Sequence, residues 1–319
     1  MLRYSISRFF GMLFVLFLIM TLSFILIRLM PMNIFDDPDL PPFVVQMIEA
    51  NYHLDKPIYL QYFYFMRGLI FEGDFGTSIK MRPTIPVFQL IRDRIPISMM
   101  MNVVALFISF PIGIIAGMAA AMRKDRFTDH TISFLIVVFI SVPSFVFASL
   151  MQYLFTFVWP IFPTLYDPRV NLFSFAALRS LTLPIIALAL GPIATLGRYL
   201  RGELIETMSS EFLLLARTKG LSHRQAIVRH AFRNSCVPLA TIIIPMFTGI
   251  MSGSLIIERI FSIPGLGGIM IDSINMGDHP LSIATIIFFS IISLLTIFIV
   301  DISYGLIDPR IRMGGKKSG

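Results

Sequence analysis

Six stretches of this chain contain no Asp, Glu, Lys or Arg: residues 9–27, 97–122, 131–166, 180–197, 235–257 and 280–300. Their lengths are 19, 26, 36, 18, 23 and 21 residues. About 20 residues of helix cross the hydrocarbon of a bilayer. The runs are continuous rather than alternating, which predicts helices and not barrel strands. Hydrophobic residues make up 56% of the chain and charged residues only 14%, where a soluble domain carries roughly a quarter charged. The predicted fold class is therefore all-α and integral to a membrane, with six transmembrane helices. The third run is too long for one span and is predicted to leave the membrane near Trp159 and Pro160, an interfacial aromatic followed by a helix breaker.

The first run is preceded by Arg3 and Arg8, as a secretory signal would be. It is long, however, and Arg28-Leu-Met-Pro31 follows in place of a small-residue cleavage site. It reads as a retained first helix. The organisation that follows is a tail and first helix (1–30), an extracytoplasmic loop or cap (31–95), a core transmembrane domain (96–306) and a cytoplasmic tail (307–319). The cap has an aromatic stretch with Tyr59, Tyr62, Phe63, Tyr64 and Phe65, which suits a small folded element on the membrane surface.

Charge placement orients the chain. If the N-terminus is cytoplasmic, the inner segments hold 16 of the 26 Lys and Arg. Seven of the remaining basic residues lie in the long first loop, which counts weakly, and the short outer loops keep only Arg169, Arg179 and Arg259. Both termini are therefore expected to be cytoplasmic.

The inner segment 198–234 is long for a plain connector. Ser209-Ser210-Glu211 reads as a helix start, a hydroxyl to cap and an acid in the first turn. Phe212, Leu215 and Ala216 fall on one face. Arg217 and Lys219 suit the last turn. Gly220 fits the left-handed residue that ends a helix, with Leu221 as the apolar residue after it. Ser222-His-Arg-Gln225 reads as a capping box for a second helix, which carries Ile227, His230 and Ala231 at i, i+3, i+4. The segment 209–234 is thus a helix–turn–helix elbow whose apolar face suits the docking of another protein.

The spans hold devices for close packing and bending. Gly113-Ile-Ile-Ala-Gly117 and Gly249-Ile-Met-Ser-Gly253 are faces of small residues that let helices approach. Pro111, Pro143, Pro184, Pro192 and Pro245 each remove a backbone donor and can bend a helix. As a set they suit a bundle that opens alternately to each side.

Catalytic signatures are missing from the sequence. The tail Gly314-Gly-Lys-Lys-Ser318 is a poor match to a phosphate-cradling loop, since Lys317 stands where Ser or Thr is required. Neither HExxH nor GxSxG occurs, and the five His residues have no ligand spacing. Cys236 is the single cysteine, so no intrachain disulfide forms. No metal and no nucleic-acid partner is expected. A secondary transporter would place ionisable groups near the midplane, and the nearest, Asp301, lies at the inner end of the last run. An intramembrane enzyme would need a nucleophile facing a base, and the runs offer no such pair.

These residues resemble a known family. Glu211-Phe-Leu-Leu-Leu-Ala216-Arg-Thr-Lys-Gly220 is similar to the cytoplasmic signature of binding-protein-dependent ABC importer permeases. The run from Ala216 to Thr241, and Glu258-Arg-Ile-Phe-Ser-Ile-Pro264-Gly265-Leu-Gly267, resemble the dipeptide, oligopeptide and nickel branch. So do the N-terminal MLRYSISRFF, the outer-loop LDKPIYLQY and GDFGTS, and Asp308-Pro-Arg-Ile-Arg312. One departure is Phe212 to Leu215 in place of the usual alanine-rich pair after the acid. The resemblance implies a type I importer-like permease that forms half of a pore with a homologous second permease. It implies two cytoplasmic ATPase subunits that bind ATP and Mg, receive the elbow, and contact Glu211, Phe212, Leu215, Ala216, Gly220 and Leu221. It also implies an extracytoplasmic binding protein and an outer-face motif at Glu258, Pro264, Gly265 and Gly267. Peptide is the first substrate it suggests, with nickel chelates as the alternative.

The orientation yields a direct test. In a Cys236→Ser background, Asp39→Cys and Asp74→Cys are expected to react with an impermeant maleimide in intact cells, and Ser222→Cys is not. The reverse pattern would invert the topology.

Overall fold

The computed structural model describes residues 2–29, 52–211 and 255–307 continuously, and between them 43, 46, 49–50, 213, 218, 220–227, 231–232, 235, 239, 242–243 and 245–246. In chain order the helices are α1 (Leu2–Leu29), α2 (Ile58–Arg67), α3 (Val87–Arg92), α4 (Ile95–Met122), α5 (Phe127–Ser141), α6 (Ser144–Gln152), α7 (Phe175–Met208), α8 (His223–Ala226), α9 (Leu255–Ile260), α10 (Leu266–Met276) and α11 (His279–Ile307). α2 and α6 each run on into a π-helical turn, Gly68–Glu72 and Tyr153–Val158. Among the described residues the extended pairing is one isolated bridge, Thr77 to Pro86. The fold is all-helical, as lipid requires of a chain whose backbone must satisfy itself.

Four helical stretches are long and apolar enough to cross a membrane: Tyr4–Leu29, Val87–Met122, Phe175–Met208 and His279–Ile302. The pair Phe127–Ser141 and Ser144–Val158 passes the same test together but bends by 99° at its break. The described residues therefore hold up to five spans, and most of the apolar run 235–257 lies outside them. The third run does end beyond Val158, with Trp159 extended. Its sharper feature is the bend at Val142 and Pro143. Val142 is extended, at φ −90° and ψ 126°, the conformation that a following proline favours. Pro143 then takes the N-cap position of α6, where its missing N–H is no loss. The other prolines behave differently. Pro111 sits inside unbroken α4, and Pro184 and Pro192 inside unbroken α7, so a proline inside a packed span leaves the helix continuous here.

The described residues fall into two compact units, one drawn from 99–263 and 296–307, the other from 2–98 and 264–295. In the first, α4 and α7 pack through glycine. A methyl group added at Gly113 would lie 2.8 Å from the Leu196 Cβ and 3.0 Å from the Ile193 carbonyl oxygen. One added at Gly117 would lie 2.7 Å from the Gly197 carbonyl oxygen. The Ser109 hydroxyl lies 2.6 Å from the Ala105 oxygen of its own helix and 3.2 Å from the Ala189 oxygen of α7. Gly249 and Gly253 lie outside the described residues.

In the second unit the cap of the first loop folds onto α1 and α11. Met20, Phe24, Ile27, Met66, Ile283 and Ile287 form one buried cluster. Phe24 stacks on Phe65 at 5.2 Å and meets Tyr62 edge-on at 5.4 Å, while Tyr59 and Phe63 face outward. Val87, Leu90 and Ile91 of α3 pack with Leu266, Ile269, Leu281 and Ala284. Asp278, fully buried, ties the two parts together. Its carboxylate accepts the Ser78 hydroxyl and the backbone N–H groups of Ile79, Lys80 and Met81, at 3.0 to 3.3 Å for the last three. Beside it the Tyr52 hydroxyl donates to the Thr77 carbonyl at 2.6 Å and accepts from the Thr77 N–H at 2.7 Å. Burial pushes the Tyr52 hydroxyl above its ordinary pKa, against the pull of its bonds to the Thr77 hydroxyl and N–H. Gly76 has φ +80°, and a Cβ there would lie 2.6 Å from the Tyr52 oxygen.

The glycine crossing makes a graded prediction. Gly117→Val drives a side chain into backbone that cannot step aside, an overpacking worth about 1–3 kcal/mol. Its melting temperature in detergent is expected to fall. Gly202→Ala, which meets no atom within 4 Å, is expected to leave it unchanged.

Candidate functional site

The elbow begins where α7 ends. Ser209 is the C-cap of α7, and its hydroxyl donates back to the Glu206 carbonyl at 2.7 Å. The Ser210 hydroxyl donates to the Thr207 carbonyl at 2.6 Å. The two serines thus close the old helix, because the last carbonyls of α7 have no helical partner and need donors, and the Ser210 carbonyl accepts the Leu213 N–H as the next helix begins. Glu211 follows, helical and exposed. Leu213 is buried. Phe212, Leu215 and Ala216 lie outside the described residues, as does Lys219.

The turn is built as its chemistry dictates. Gly220 has φ +89° with open space around it, the left-handed geometry that a side chain opposes. Ser222 and Gln225 then cap each other. The Gln225 N–H donates to the Ser222 hydroxyl at 3.3 Å, and the Ser222 N–H to the Gln225 amide oxygen at 3.1 Å.

The second arm departs from the expectation of an open apolar face. Ile227 and Ala231 are completely buried. With Leu213, Ala226 and Leu239 they pack on Leu196, Leu200 and Leu204 of α7, and Leu221 is half-buried against the same cluster. The stripe that looked free for docking covers α7 of the same chain. His230 lies outside the described residues. Among its described residues the elbow exposes Glu211 at its start and Thr218, Gly220, Ser222 and Gln225 around the turn.

A clamp that the residue pattern did not reveal lies on the same stretch of α7. Arg201 holds Asp129 of α5 with two parallel bonds, Nε to Oδ1 at 2.6 Å and Nη2 to Oδ2 at 2.8 Å. Asp129 is 1% exposed. The Asp125 N–H, at 3.0 Å, and the Ser133 hydroxyl, at 3.3 Å, complete its shell. The fork-to-fork geometry is the strong form of an arginine–carboxylate pair. Arg201 lies between Leu200 and Leu204, both completely buried in the cluster beneath the elbow. The loop 123–126 and the elbow therefore rest on the same turns of one helix. The pair is separated by 72 positions, and only a charged residue recurring at the edge of two apolar runs hinted at it.

The outer motif divides between the units. Glu258 and Ile257 are buried in α9. The chain then turns through Ser262, at φ +50°, with the Ile263 N–H donating to the Glu258 carbonyl at 2.8 Å. Also in that unit, the Gln152 amide of α6 donates to the Ile260 carbonyl at 2.9 Å. In the other unit Pro264 is half-buried, Gly265 is the N-cap of α10, and Gly267 is buried. The Leu266 N–H donates there to the Ser98 hydroxyl at 2.9 Å. Among the described residues, no His, Cys, Asp and Glu come together as a metal site.

An all-helical membrane chain with a capped helical elbow defines a class, and comparison with known sequences names it. The chain belongs to the family described as binding-protein-dependent transport system inner membrane component, whose model matches residues 90–313. The companion model for the N-terminal part of such membrane components matches residues 1–102. The chain is 39% identical to the dipeptide transport system permease protein of Lactococcus lactis over 313 residues, 98% of this chain and 100% of that one. It is 35% identical to the dipeptide transport system permease protein of Bacillus subtilis over 317 residues, 99% and 100% of the two. It is 34% identical to the oligopeptide transport system permease protein of Escherichia coli K12 over 313 residues, 98% and 100%. The protein is thus a multi-pass component of the bacterial inner membrane, a permease that works with other transporter subunits and not a catalytic enzyme.

The clamp generates its own test. Asp129→Ala strands a half-buried guanidinium. The cost is expected between that of an exposed pair, below about 1 kcal/mol, and that of a buried one, about 3–5 kcal/mol. The thermal midpoint in detergent should fall accordingly. Asp129→Leu with Arg201→Met, which removes both charges, should recover most of the loss. A double variant as unstable as the single would show that the pair is not what holds α5 to α7.

Proposed function

We propose that this chain is a pore-forming permease subunit of an ATP-driven importer of di- or oligopeptides. Carrying most weight is the likeness along the whole chain to three permeases whose names specify dipeptide or oligopeptide transport. Its partners on this reading are a second, homologous permease, an extracytoplasmic binding protein that delivers substrate, and two cytoplasmic ATPase subunits. ATP and Mg belong to those subunits, in keeping with the absence of a phosphate-cradling loop from the sequence. Both termini and the elbow 209–234 face the cytoplasm, and the cap 31–95 faces out.

In this mechanism the elbow tip enters the ATPase surface through Glu211, Phe212, Leu215, Ala216, Gly220 and Leu221. The exposure of Glu211 and Gly220 and the positive φ at Gly220 support the assignment. ATP-driven movement of that surface would load the tip and then the leucines beneath it. Gly113, Gly117, Pro143, Gly249 and Gly253 are the candidate packing and bending points of the pore. Glu258, Pro264, Gly265 and Gly267 are assigned to the outer face.

Deleting the gene should abolish uptake of a labelled dipeptide while leaving nickel uptake unchanged, and the wild-type gene should restore it. Gly220→Val should reach normal abundance in the membrane yet fail to restore uptake. The left-handed turn costs a non-glycine residue roughly 1–2 kcal/mol, small beside a membrane bundle but enough to tilt an exposed tip. Glu211→Lys should act in the same direction, more mildly. Dipeptide uptake that survives the deletion would overturn the substrate assignment. Full restoration by Gly220→Val would overturn the role of the turn.

A further inference from the structure

A cavity of about 280 Å³ lies among α1, the cap and the start of α11. It is far larger than one water requires and approaches the size of small-molecule sites, roughly 300–1,000 Å³. Its position is defined by the spans. Arg28 is the penultimate residue of α1, and His279 is the first residue of α11, so both mark where an apolar span meets the polar boundary. Phe24, Ile27 and Ile283, from the adjoining turns of the same two helices, supply the apolar wall. The cap contributes Tyr52, Gln61 and Arg67 to the polar wall, and the carboxylates of Glu72 and Asp74 also line it.

Among the described residues, two polar features of this cavity have bonding capacity to spare. His279 is 7% exposed, and both ring nitrogens are buried with no hydrogen-bond partner among the described residues. An unsatisfied buried donor or acceptor carries a desolvation cost of about 1–3 kcal/mol, and such groups are rare in folded proteins. Arg28 directs Nε and Nη2 to one acceptor, the Gln61 amide oxygen, with Nε at 2.8 Å. A guanidinium offers more N–H donors than one amide oxygen takes. A cation at the end of a span, an imidazole wanting an acceptor and an apolar wall descending along two membrane helices make a set that fits an anionic head joined to an apolar tail.

We propose that this cavity is a phospholipid site, in which the phosphate diester lies between Arg28 and His279 and the glycerol and upper acyl segment lie along Phe24, Ile27 and Ile283. A free phosphate ester shares the head chemistry but has nothing to place on the apolar wall. The bound lipid would act as a wedge that holds the cap to α1 and α11. The inference stands apart from the substrate assignment, since it uses no residue of the elbow or the outer motif.

The test is native mass spectrometry of the complete transporter, purified in mild detergent and exchanged into nanodiscs of phosphatidylethanolamine and phosphatidylglycerol. Wild type should retain phospholipid adducts that Arg28→Gln reduces by roughly tenfold, the factor expected for losing a charged hydrogen bond. His279→Phe, which keeps the ring and removes both nitrogens, should reduce them in the same direction. Gln61→Leu breaks the internal bond to Arg28 but keeps the guanidinium, and should retain the lipid. Equal adducts in wild type, Arg28→Gln and His279→Phe would overturn the site. Equal loss in Gln61→Leu and Arg28→Gln would overturn it too, by tracing the effect to local structure. Binding of glycerol 3-phosphate with no retained lipid would overturn the lipid assignment in favour of a soluble ester.

Discussion

Hydrocarbon offers no water to an unpaired peptide group, so every break in a spanning helix must account for its own donors and acceptors. That constraint explains why the described spans are helical and why the sharp bend among them sits at Pro143. The Val142 N–H still donates to the Val138 carbonyl at 3.0 Å. The next nitrogen belongs to proline and has no hydrogen to satisfy. The Val146 N–H then returns to the Pro143 carbonyl at 2.9 Å. A bend of 99° thus leaves less unpaired than the same bend at another residue would. Pro111, Pro184 and Pro192 each also remove a donor, yet their helices run through. Removing one bond permits a bend. Flanking contacts decide whether it occurs, and α4 and α7 are locked together by glycines and Ser109.

The same constraint governs two of the buried carboxylates, Asp129 and Asp278. A lone buried charge is costly, and these two are neutralised by different means. Asp129 has a cation, Arg201, in fork geometry. Asp278 lies in a row of backbone N–H groups from Ile79 to Met81, completed by the Ser78 hydroxyl. That row is a turn whose successive N–H groups converge, a concavity suited to an anion. Both arrangements join segments remote in sequence, α5 to α7 in one unit and the first loop to the start of α11 in the other.

What could be read in the sequence was local. The capping box needs only Ser222 and Gln225, three positions apart, and the left-handed turn needs only Gly220. The spans followed from run length, because lipid imposes a length on any helix that crosses it. The serines before Glu211 also serve α7, which extends to Met208, well past its apolar run, so its unpaired carbonyls reach Ser209 and Ser210. The Ile227 and Ala231 face was misread because one stripe of apolar residues suits an own-chain helix as well as a partner, and the pattern carries no address. Asp129 with Arg201, and Asp278 with Ser78 across 200 positions, left no trace in spacing. Gly277-Asp278-His279-Pro280 held the nearest clue. A left-handed glycine at φ +68° ends α10, and the aspartate after it starts α11 by accepting the Leu281 N–H at 3.4 Å.

The most consequential result of that misreading concerns how a force on the elbow is borne. A docking face lying free would move with little resistance and pass little on. Here the second arm is seated on Leu196, Leu200 and Leu204, successive turns of a 34-residue helix that continues unbroken through two prolines. Interiors packed at this density transmit displacement rather than absorb it. The Asp129 clamp grips the same turns from α5, and Gly117 meets Gly197 and Leu200 from α4. A displacement of the tip therefore loads α7 first and reaches α4 and α5 through contacts within one turn of each other. The charged pair resists separation of α5 from α7, whereas at the glycine crossing α4 is held to α7 by close backbone approach and by the Ser109 hydroxyl on the Ala189 carbonyl. Of the two contacts, the crossing is the one held by packing and a neutral hydrogen bond rather than by an ion pair.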